Sequence, residues 1–136
     1  LRGGEIEAQK YYEQAILASI DFWDSVNPSS VRVTQAQKDQ YIQKTTYNNT
    51  LEQIMTQKYI AQFWCGYEAW ADYRRTGYPV LIIGTATDNN GILPTRLMYP
   101  SRAQQTNSVH YEEAVREMGG DNMRIPVWWS QKATSK

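Results

Sequence analysis

The stretch GYEAWADYRRTGYP, residues 66–79, has the features of a helix that ends at a defined stop. Glu68 would lie in its first turn and Arg74 and Arg75 in its last, where the helix dipole favours a negative and a positive charge, respectively. Gly77 can adopt the left-handed conformation that closes many helices, and the proline two residues later cannot continue one. The stretch therefore predicts a helix that ends just before this glycine.

Two longer segments before this stretch repeat apolar residues at three- and four-residue intervals, which is typical of amphipathic helices. Residues 5–24 predict a first helix, and the cap-like triplet 48–50 precedes a stronger helical pattern. The apolar face of the first helix comprises Ala8, Tyr12, Ala15, Ile16, Ser19, Ile20 and Trp23. The later segment carries, on one side or flanking it, Leu51, Ile54, Met55, Lys58, Ile60, Ala61, Phe63, Trp64 and Cys65.

The later segment is apolar around nearly its whole girth, which suits a helix buried inside a larger protein. If the chain is part of such a protein, the face bearing Leu51, Met55 and Phe63 should be incompletely covered within these residues. Gly66 costs up to about 1 kcal/mol relative to alanine in a helix. We therefore expect a kink or break there, followed by a second helical piece to Thr76.

Shorter helices and irregular chain are predicted elsewhere. Residues 25–30 predict a turn, and Thr34 followed by Gln37 is a capping-box pattern that predicts a short helix to about residue 43. Residues 78–99 predict a loop that contains a β-prone run at 80–83 and a turn at 88–91.

The last part of the chain predicts one further helix and a tail. Residues 101–105 predict a single helical turn. Ser108 is a predicted N-cap for a helix that ends at Met118, before Gly119 and Gly120. The tail from Asp121 onward has no periodicity, but its two adjacent tryptophans must bury aromatic area, so we expect it to pack back on the helices.

Composition excludes several classes of function. The 14 basic and 14 acidic residues balance, whereas a nucleic-acid binder needs a basic stripe that neutralises phosphates. No run approaches the roughly 18 apolar residues of a membrane helix. Cys65 is the single cysteine, so neither an internal disulfide nor a cysteine-based metal site can form, and we expect it to be buried.

Three blocks of the chain resemble the SusD/RagB family of nutrient-binding outer-membrane lipoproteins of Bacteroidetes. The main block has the form QKxIAxFxxGxEAWxxYRRTGYP and covers residues 57–79. A weaker block lies near the start of the chain and comprises Tyr12 to Ile16, Ala18 to Ile20 and Trp23. The closing block comprises Pro94 to Leu97, Tyr99, Pro100, Asn107, Tyr111, Ala114, Val115, Gly119 to Asp121 and Val127 to Trp129.

The resemblance implies a mainly α, helical SusD-like fold with long irregular loops. It also implies that residues 1–136 are the C-terminal fragment of a single, longer SusD-like domain, in which residues 1–4 continue a loop. Such a protein would be anchored by a lipid at its N-terminus on the cell surface of the outer membrane. It would bind a nutrient, in our interpretation a glycan or else a peptide, and deliver it as a lid to a SusC-like TonB-dependent transporter.

The resemblance implies binding rather than catalysis, with no cofactor and no metal. Because family ligand contacts come largely from variable loops, it assigns no ligand-binding residue here. Two alternatives remain open: a helical glycan-degrading enzyme, and a non-catalytic scaffold or interaction module. The enzyme would need two acidic residues about 5–9.5 Å apart across a cleft.

Two aromatic groups could contact a ligand, although each is also explained by structure. One consists of Trp70, Tyr73, Arg74 and Arg75. Aromatic rings stack on sugars and arginines bind carboxylates, but a helix end that locks onto a neighbouring loop is the favoured interpretation. The other group is Trp128 and Trp129, which should point in opposite directions on an extended segment, so that one is buried and the other partly exposed.

The polar candidates have simple structural explanations. His110, the only histidine, has no metal-ligand partners at suitable spacing. The acidic residues Glu5, Glu7, Glu112 and Glu113 are helix-start charges, and nothing singles out Asp72 or Asp121 as catalytic.

Two short motifs could mark glycosylation. The triplet 48–50 matches an N-glycosylation sequon, but a helix cap is the favoured interpretation. Asp24-Ser25-Val26 resembles the O-glycosylation signal of Bacteroidetes envelope proteins, so Ser25 is a possible O-glycosylation site.

Overall fold

The computed structural model describes residues 4–87 and 90–130, apart from the Glu5 side chain. Contacts divide the chain into two compact units, residues 1–72 and 73–136, with the boundary inside a helix. The described residues contain helices and no strand, which confirms the mainly α prediction. Their helices are α1 (Glu5–Val26), α2 (Gln35–Lys44), α3 (Leu51–Ala61), α4 (Gly66–Thr76), α5 (Ser101–Thr106) and α6 (Ser108–Met118).

The first unit is built from α1, α2 and α3, and α2 is antiparallel to α1. The hydroxyl of Tyr12, early in α1, donates to the carbonyl of Thr45 at the end of α2 (2.9 Å). Lys38, near the start of α2, forms an ion pair with Asp21 toward the end of α1. The two ends of α2 thus lie beside opposite ends of α1.

Helix α3 runs in the same direction as α1. The ring of Tyr47, just before α3, lies 5.1 Å from the ring of Tyr12. The indole Nε1 of Trp23, near the end of α1, donates to the carbonyl of Ala61 at the end of α3 (3.0 Å). The three helices therefore alternate in direction along the chain.

The predicted caps of α2 and α3 are confirmed. Thr34 and Gln37 form a complete capping box at the start of α2. Thr50 is the N-cap of α3, and its hydroxyl accepts from the backbone N–H of Gln53 (3.2 Å). Asn48 supports this cap, since its side-chain oxygen accepts from the backbone N–H of Thr50 (3.1 Å). The triplet 48–50 thus acts as a helix cap.

The predicted break between α3 and α4 occurs, but earlier than expected. Helix α3 ends at Ala61, a turn follows at 62–65, and Gly66 begins α4 instead of kinking a continuous helix. Cys65 closes this turn with a bond from its N–H to the Gln62 carbonyl (2.8 Å). Since Cys65 lies outside both helices it is exposed, and the expectation that it is buried is wrong.

The first or last residues of two other helices differ from the predicted ones by one or two positions. Helix α1 continues through Val26, because the chain leaves the helix only at Asn27, whose conformation is restricted by the proline that follows. Ser108 is the first residue of α6 and Asn107 its N-cap, which makes no side-chain capping bond. The stops at Gly77 and Gly119 are confirmed, with φ of 76° and 81°.

The β-prone run 80–83 is not a strand. Residues 88–89 of the predicted turn lie outside the described residues. The next two residues, Asn90 and Gly91, have positive φ values of 60° and 67°, as in a turn.

The second unit is held together by its loops. The buried Thr95 donates from its backbone N–H to the carbonyl of Met123 (2.8 Å). Its hydroxyl lies 2.8 Å from the same carbonyl and 3.0 Å from that of Ile125. At these residues the tail is thus fixed to the loop before α5 and not to a helix.

The core of the described chain is small. Its buried apolar residues are Tyr12, Ile16, Met55 and Ala69. Leu51 is 51% exposed and Phe63 73% exposed, so the face predicted to be incompletely covered is open except at Met55.

Candidate functional site

Four aromatic rings of the first unit form a continuous group, here called the aromatic cluster: Phe22, Trp23, Phe63 and Trp64. The rings of Phe22 and Trp23 are 5.2 Å apart, those of Trp23 and Phe63 are 6.2 Å apart, and those of Phe63 and Trp64 are 5.1 Å apart. Every contact is edge-to-face, with interplanar angles of 72° to 84°. Such contacts orient neighbouring rings, so the cluster presents ring faces in fixed directions.

Local structure places two of these rings in solvent. Because α3 ends at Ala61, Phe63 and Trp64 leave the helix and lie in the following turn. Phe63 is 73% and Trp64 76% exposed, while the half-buried Trp23 anchors the group through its bond to the Ala61 carbonyl. Phe22 is also exposed, at 57%, so the cluster combines one half-buried ring with three open ones.

An exposed, oriented ring face can bind the C–H face of a sugar or an apolar side chain, through dispersion and the loss of apolar hydration. Patches of this kind commonly mark interaction sites. Sequence reasoning missed the cluster because it placed Phe63 and Trp64 on a helix. The signal that could have found it was the pair of adjacent aromatics just before Cys65 and Gly66.

The second unit contains an arginine–tryptophan contact at the end of α4. The guanidinium carbon of Arg74 lies 4.5 Å from the ring centroid of Trp129. Nη1 of Arg74 donates to the carbonyl of Thr95 (3.2 Å), and the Arg74 carbonyl accepts from the hydroxyl of Ser130 (2.9 Å). Burial lowers the pKa of the Arg74 guanidinium. Arg74 thus joins the end of α4 to a loop and to the tail.

The two adjacent tryptophans of the tail differ in exposure, as predicted. Trp129 is half-buried against Arg74, whereas Trp128 is 95% exposed. Trp70 and Tyr73 are half-buried on α4, and Arg75 is exposed. Arg74 belongs to the group of arginines and aromatics that could contact a ligand. Its contacts with Trp129, Thr95 and Ser130 instead suit a structural role.

Asp121 is the centre of a polar group in the second unit. Its carboxylate forms an ion pair with Arg96 at 3.1 Å, and both side chains are only 11% exposed. It also accepts from the backbone N–H of Tyr99 (3.2 Å) and from the hydroxyl of Tyr111 (3.3 Å). Desolvation and the negative charge of Asp121 raise the pKa of the Tyr111 hydroxyl. Asp121 is thus committed to structural contacts.

The remaining polar candidates lie apart from the aromatic cluster in sequence. His110 Nδ1 lies 3.2 Å from Glu113 on the exposed side of α6, and Glu112 is exposed next to it. Asp72 pairs with Lys58 at 2.6 Å. Glu7 is exposed in α1. These contacts are local, within one helix or between neighbouring helices of one unit.

Ser25 lies in the last turn of α1, not in a turn outside it. Its side chain is exposed, and its hydroxyl donates to the carbonyl of Phe22 (2.7 Å). The hydroxyl oxygen therefore remains accessible at the surface.

Two classes of site are not found in the described part of the chain. Among residues 4–87 and 90–130, no group of three histidine, cysteine, aspartate or glutamate side chains could hold a metal ion. Within the same ranges, the helices are too short or too polar to cross a membrane.

Comparison with known proteins gives one family and two similar structures. The SusD-like family model, "Susd and RagB outer membrane lipoprotein", matches residues 2–130. A chitin-binding protein is 33% identical over 91% of this chain and 28% of its own, with a TM-score of 0.74. A SusD-like protein of Bacteroidetes AC2a is 30% identical over 90% of this chain and 25% of its own, with a TM-score of 0.77. No curated protein matches. The chain spans only about a quarter of the length of the two similar structures.

Proposed function

Because this chain belongs to the SusD/RagB family, we propose that its parent protein binds a glycan at the cell surface and delivers it to a SusC-like TonB-dependent transporter. SusD-like proteins are binding proteins rather than enzymes. A chitin-binding protein of similar structure supports a β-linked amino-sugar polymer as the first ligand to test.

The exposure of the aromatic cluster is the observation that supports assigning glycan contact to particular residues. Phe63 and Trp64 offer open ring faces on an exposed turn, where a sugar ring can stack while its hydroxyl groups remain hydrated. Keeping those hydroxyls in water avoids the cost of about 1–3 kcal/mol for each buried polar group without a partner. Trp64, as the larger ring, would provide the main stacking surface.

The contacts of Asp72 and Asp121 also favour binding over catalysis. Asp121 is held by Arg96, and Asp72 by Lys58. A general acid or base must be able to reach the substrate, whereas both carboxylates are engaged in ion pairs. We therefore propose that the glycan is held and passed on unchanged.

Residues 1–136 would form the C-terminal part of a single, longer domain, carried on the outer membrane by a lipid at the N-terminus of the complete protein. The small core supports this assignment, as does the fraction of each similar structure that the chain covers. The remaining polypeptide would supply much of the ligand site.

The test is binding of the full-length protein to chitin oligosaccharides of increasing length. We expect saturable binding, and Trp64→Ala should weaken it about tenfold, which corresponds to about 1.4 kcal/mol. Trp128→Ala is the matched control, since it removes an even more exposed tryptophan from the other unit, and should leave the affinity unchanged.

The outcomes separate the family function from the residue assignment. If wild-type protein binds but Trp64→Ala has no effect, the aromatic cluster is not the contact. If no glycan binds, the proposed ligand class is wrong. Delivery is tested separately by purifying the full-length protein from outer membranes: a TonB-dependent transporter should co-purify, and its absence would argue against transfer.

A further inference from the structure

Phe63 and Trp64 are the two central residues of one tight turn. The backbone N–H of Cys65 donates to the carbonyl of Gln62 (2.8 Å), which is the bond that closes a β-turn. The first residue of the turn also donates to a carbonyl of α3 (3.0 Å), and the last accepts from a backbone N–H of α4 (3.1 Å). The backbone that carries the two rings is therefore held by bonds on both sides.

The rings of Phe63 and Trp64 form a corner. Their planes meet at 72° with 5.1 Å between the ring centroids, so the corner is bounded by a face of each ring. Both side chains are largely exposed, which leaves these faces free to contact a ligand. Phe63 also contacts the ring of Trp23, whose indole is bonded to the end of α3. The corner therefore consists of two surfaces at a steep and fixed angle.

A sugar that stacks on Trp64 has a defined relation to Phe63. The equatorial substituents of a pyranose project outward close to the mean plane of its ring. When the sugar lies flat on the indole, these substituents run parallel to the indole plane. The ring of Phe63 stands at 72° to that plane, so it lies across the path of a substituent that points toward it. One substituent of the stacked sugar can therefore contact the phenyl ring.

The chemistry of a phenyl ring favours an apolar substituent at this position. A hydroxyl group pressed against the ring would lose water without gaining a partner of equal strength. A methyl group gains from the same contact, through dispersion and the loss of apolar hydration. An acetamido group carries such a methyl at its end, while its amide can remain hydrated. The corner therefore distinguishes an N-acetylated amino sugar from a sugar that has a hydroxyl group in the same place.

We propose that Phe63 contacts the acetamido methyl group of an N-acetylated amino sugar whose ring face stacks on Trp64. Phe63 then determines the preference for the acetylated sugar. Trp64 supplies affinity that is common to pyranoses with a flat C–H face. The inference rests on the proposed function, namely that the parent protein binds a glycan, and it adds which substituent is recognised and by which side chain.

Two neutral tetrasaccharides test this inference in the full-length protein: β-1,4-linked N-acetylglucosamine and β-1,4-linked glucose. They share the same backbone and differ at carbon 2, which carries an acetamido group in one and a hydroxyl group in the other. Phe63→Ala should weaken binding of the acetylated tetrasaccharide about threefold and leave binding of the glucose tetrasaccharide unchanged. Trp64→Ala should weaken binding of both about tenfold and leave the preference between them unchanged. Displacement calorimetry measures these affinities.

Tyr67→Ala is the matched control, because Tyr67 is an exposed aromatic residue in the first turn of α4 and lies outside the aromatic cluster. Its loss should not change the preference between the two tetrasaccharides. If Phe63→Ala weakens binding of both equally, Phe63 contacts the sugar ring and not the acetyl group. If it weakens neither, Phe63 is not part of the site. Either result overturns the inference and leaves glycan binding intact, whereas a wild-type protein that binds no glycan overturns the proposed function as well.

Saturation-transfer NMR gives a second readout that needs only the acetylated tetrasaccharide. When aromatic protons of the full-length protein are saturated, transfer to the acetyl methyl protons, relative to the ring protons of the sugar, should fall in Phe63→Ala and stay the same in Tyr67→Ala. An unchanged ratio in Phe63→Ala would contradict contact with the methyl group. Thermal unfolding midpoints should match that of the wild type, because both side chains are largely exposed, so lost structure would not explain the change.

Discussion

Replacing Arg74 with alanine removes the side chain that joins the end of α4 to the tail. The interactions that are lost include the stacking on Trp129, with 4.5 Å between the guanidinium carbon and the ring centroid, and the bond to the Thr95 carbonyl at 3.2 Å. The bond from Ser130 is retained, because it ends on the backbone carbonyl of residue 74. The variant therefore isolates what the side chain contributes.

The expected loss follows from these two contacts. A cation over an aromatic ring contributes about 0.5–2 kcal/mol, depending on its desolvation. A hydrogen bond from a charged group contributes about 1.5–3 kcal/mol, and the long distance here places it at the low end. Because Arg74 is only half-buried and the two terms are not additive, we expect a loss of about 2–3 kcal/mol in the free energy of unfolding. Arg74→Lys should lose about half of this, since it keeps the charge without the planar stack.

Urea unfolding of the full-length protein measures this loss. Arg116→Ala is the matched control, because Arg116 is an exposed arginine in the last turn of α6. It removes the same favourable interaction with a helix C-terminus but no packed contact, and should cost less than about 0.5 kcal/mol. Equal losses in the free energy of unfolding for the two variants would refute the view that the Arg74 side chain stabilises the contact between α4 and the tail.

Three further predictions concern single side chains of the full-length protein. Thr95→Val should cost about 1–3 kcal/mol in urea unfolding, because the buried Thr95 loses its hydroxyl contacts with the tail, whereas the exposed Thr106→Val should cost far less. Burial raises the pKa of Tyr12, so its contribution is present below about pH 10 and is lost as pH rises further; Tyr12→Phe should flatten this decline in stability. Mass spectrometry of protein from its native host should show a glycan that Ser25→Ala removes; identical masses would exclude modification there.

Local signals predicted the helices well. The capping box of Thr34 and Gln37, the cap at Thr50, and the glycine stops at Gly77 and Gly119 each depend on residues a few positions apart. The interactions that form these caps and stops involve only neighbouring residues, so the local sequence was sufficient to predict them.

The end of α3 was not predictable in the same way. Periodicity continues through Phe63 and Trp64 to Cys65, and no glycine or proline interrupts it before Gly66. The chain nevertheless leaves the helix after Ala61, and this exposes the aromatic cluster and the cysteine. The choice between helix and turn here depends on packing that a local pattern does not contain.

Contacts between distant loops were also beyond the sequence. The family resemblance marked Arg96, Tyr99, Tyr111 and Asp121 as characteristic residues, but not that they meet around one carboxylate. They lie up to 25 positions apart, with only Tyr111 in a helix, so no periodicity relates them. Their contacts support the view that these recognisable residues of the family hold the fold.

The most direct test of the account is calorimetric titration of the full-length protein with chitin oligosaccharides, followed by mass spectrometry of the recovered glycan. We predict saturable binding that strengthens with oligosaccharide length, and glycan of unchanged mass. Shortened products would contradict binding without catalysis. Failure to bind chitin oligosaccharides or any member of a broad glycan panel would contradict the proposal that this is a glycan-binding protein.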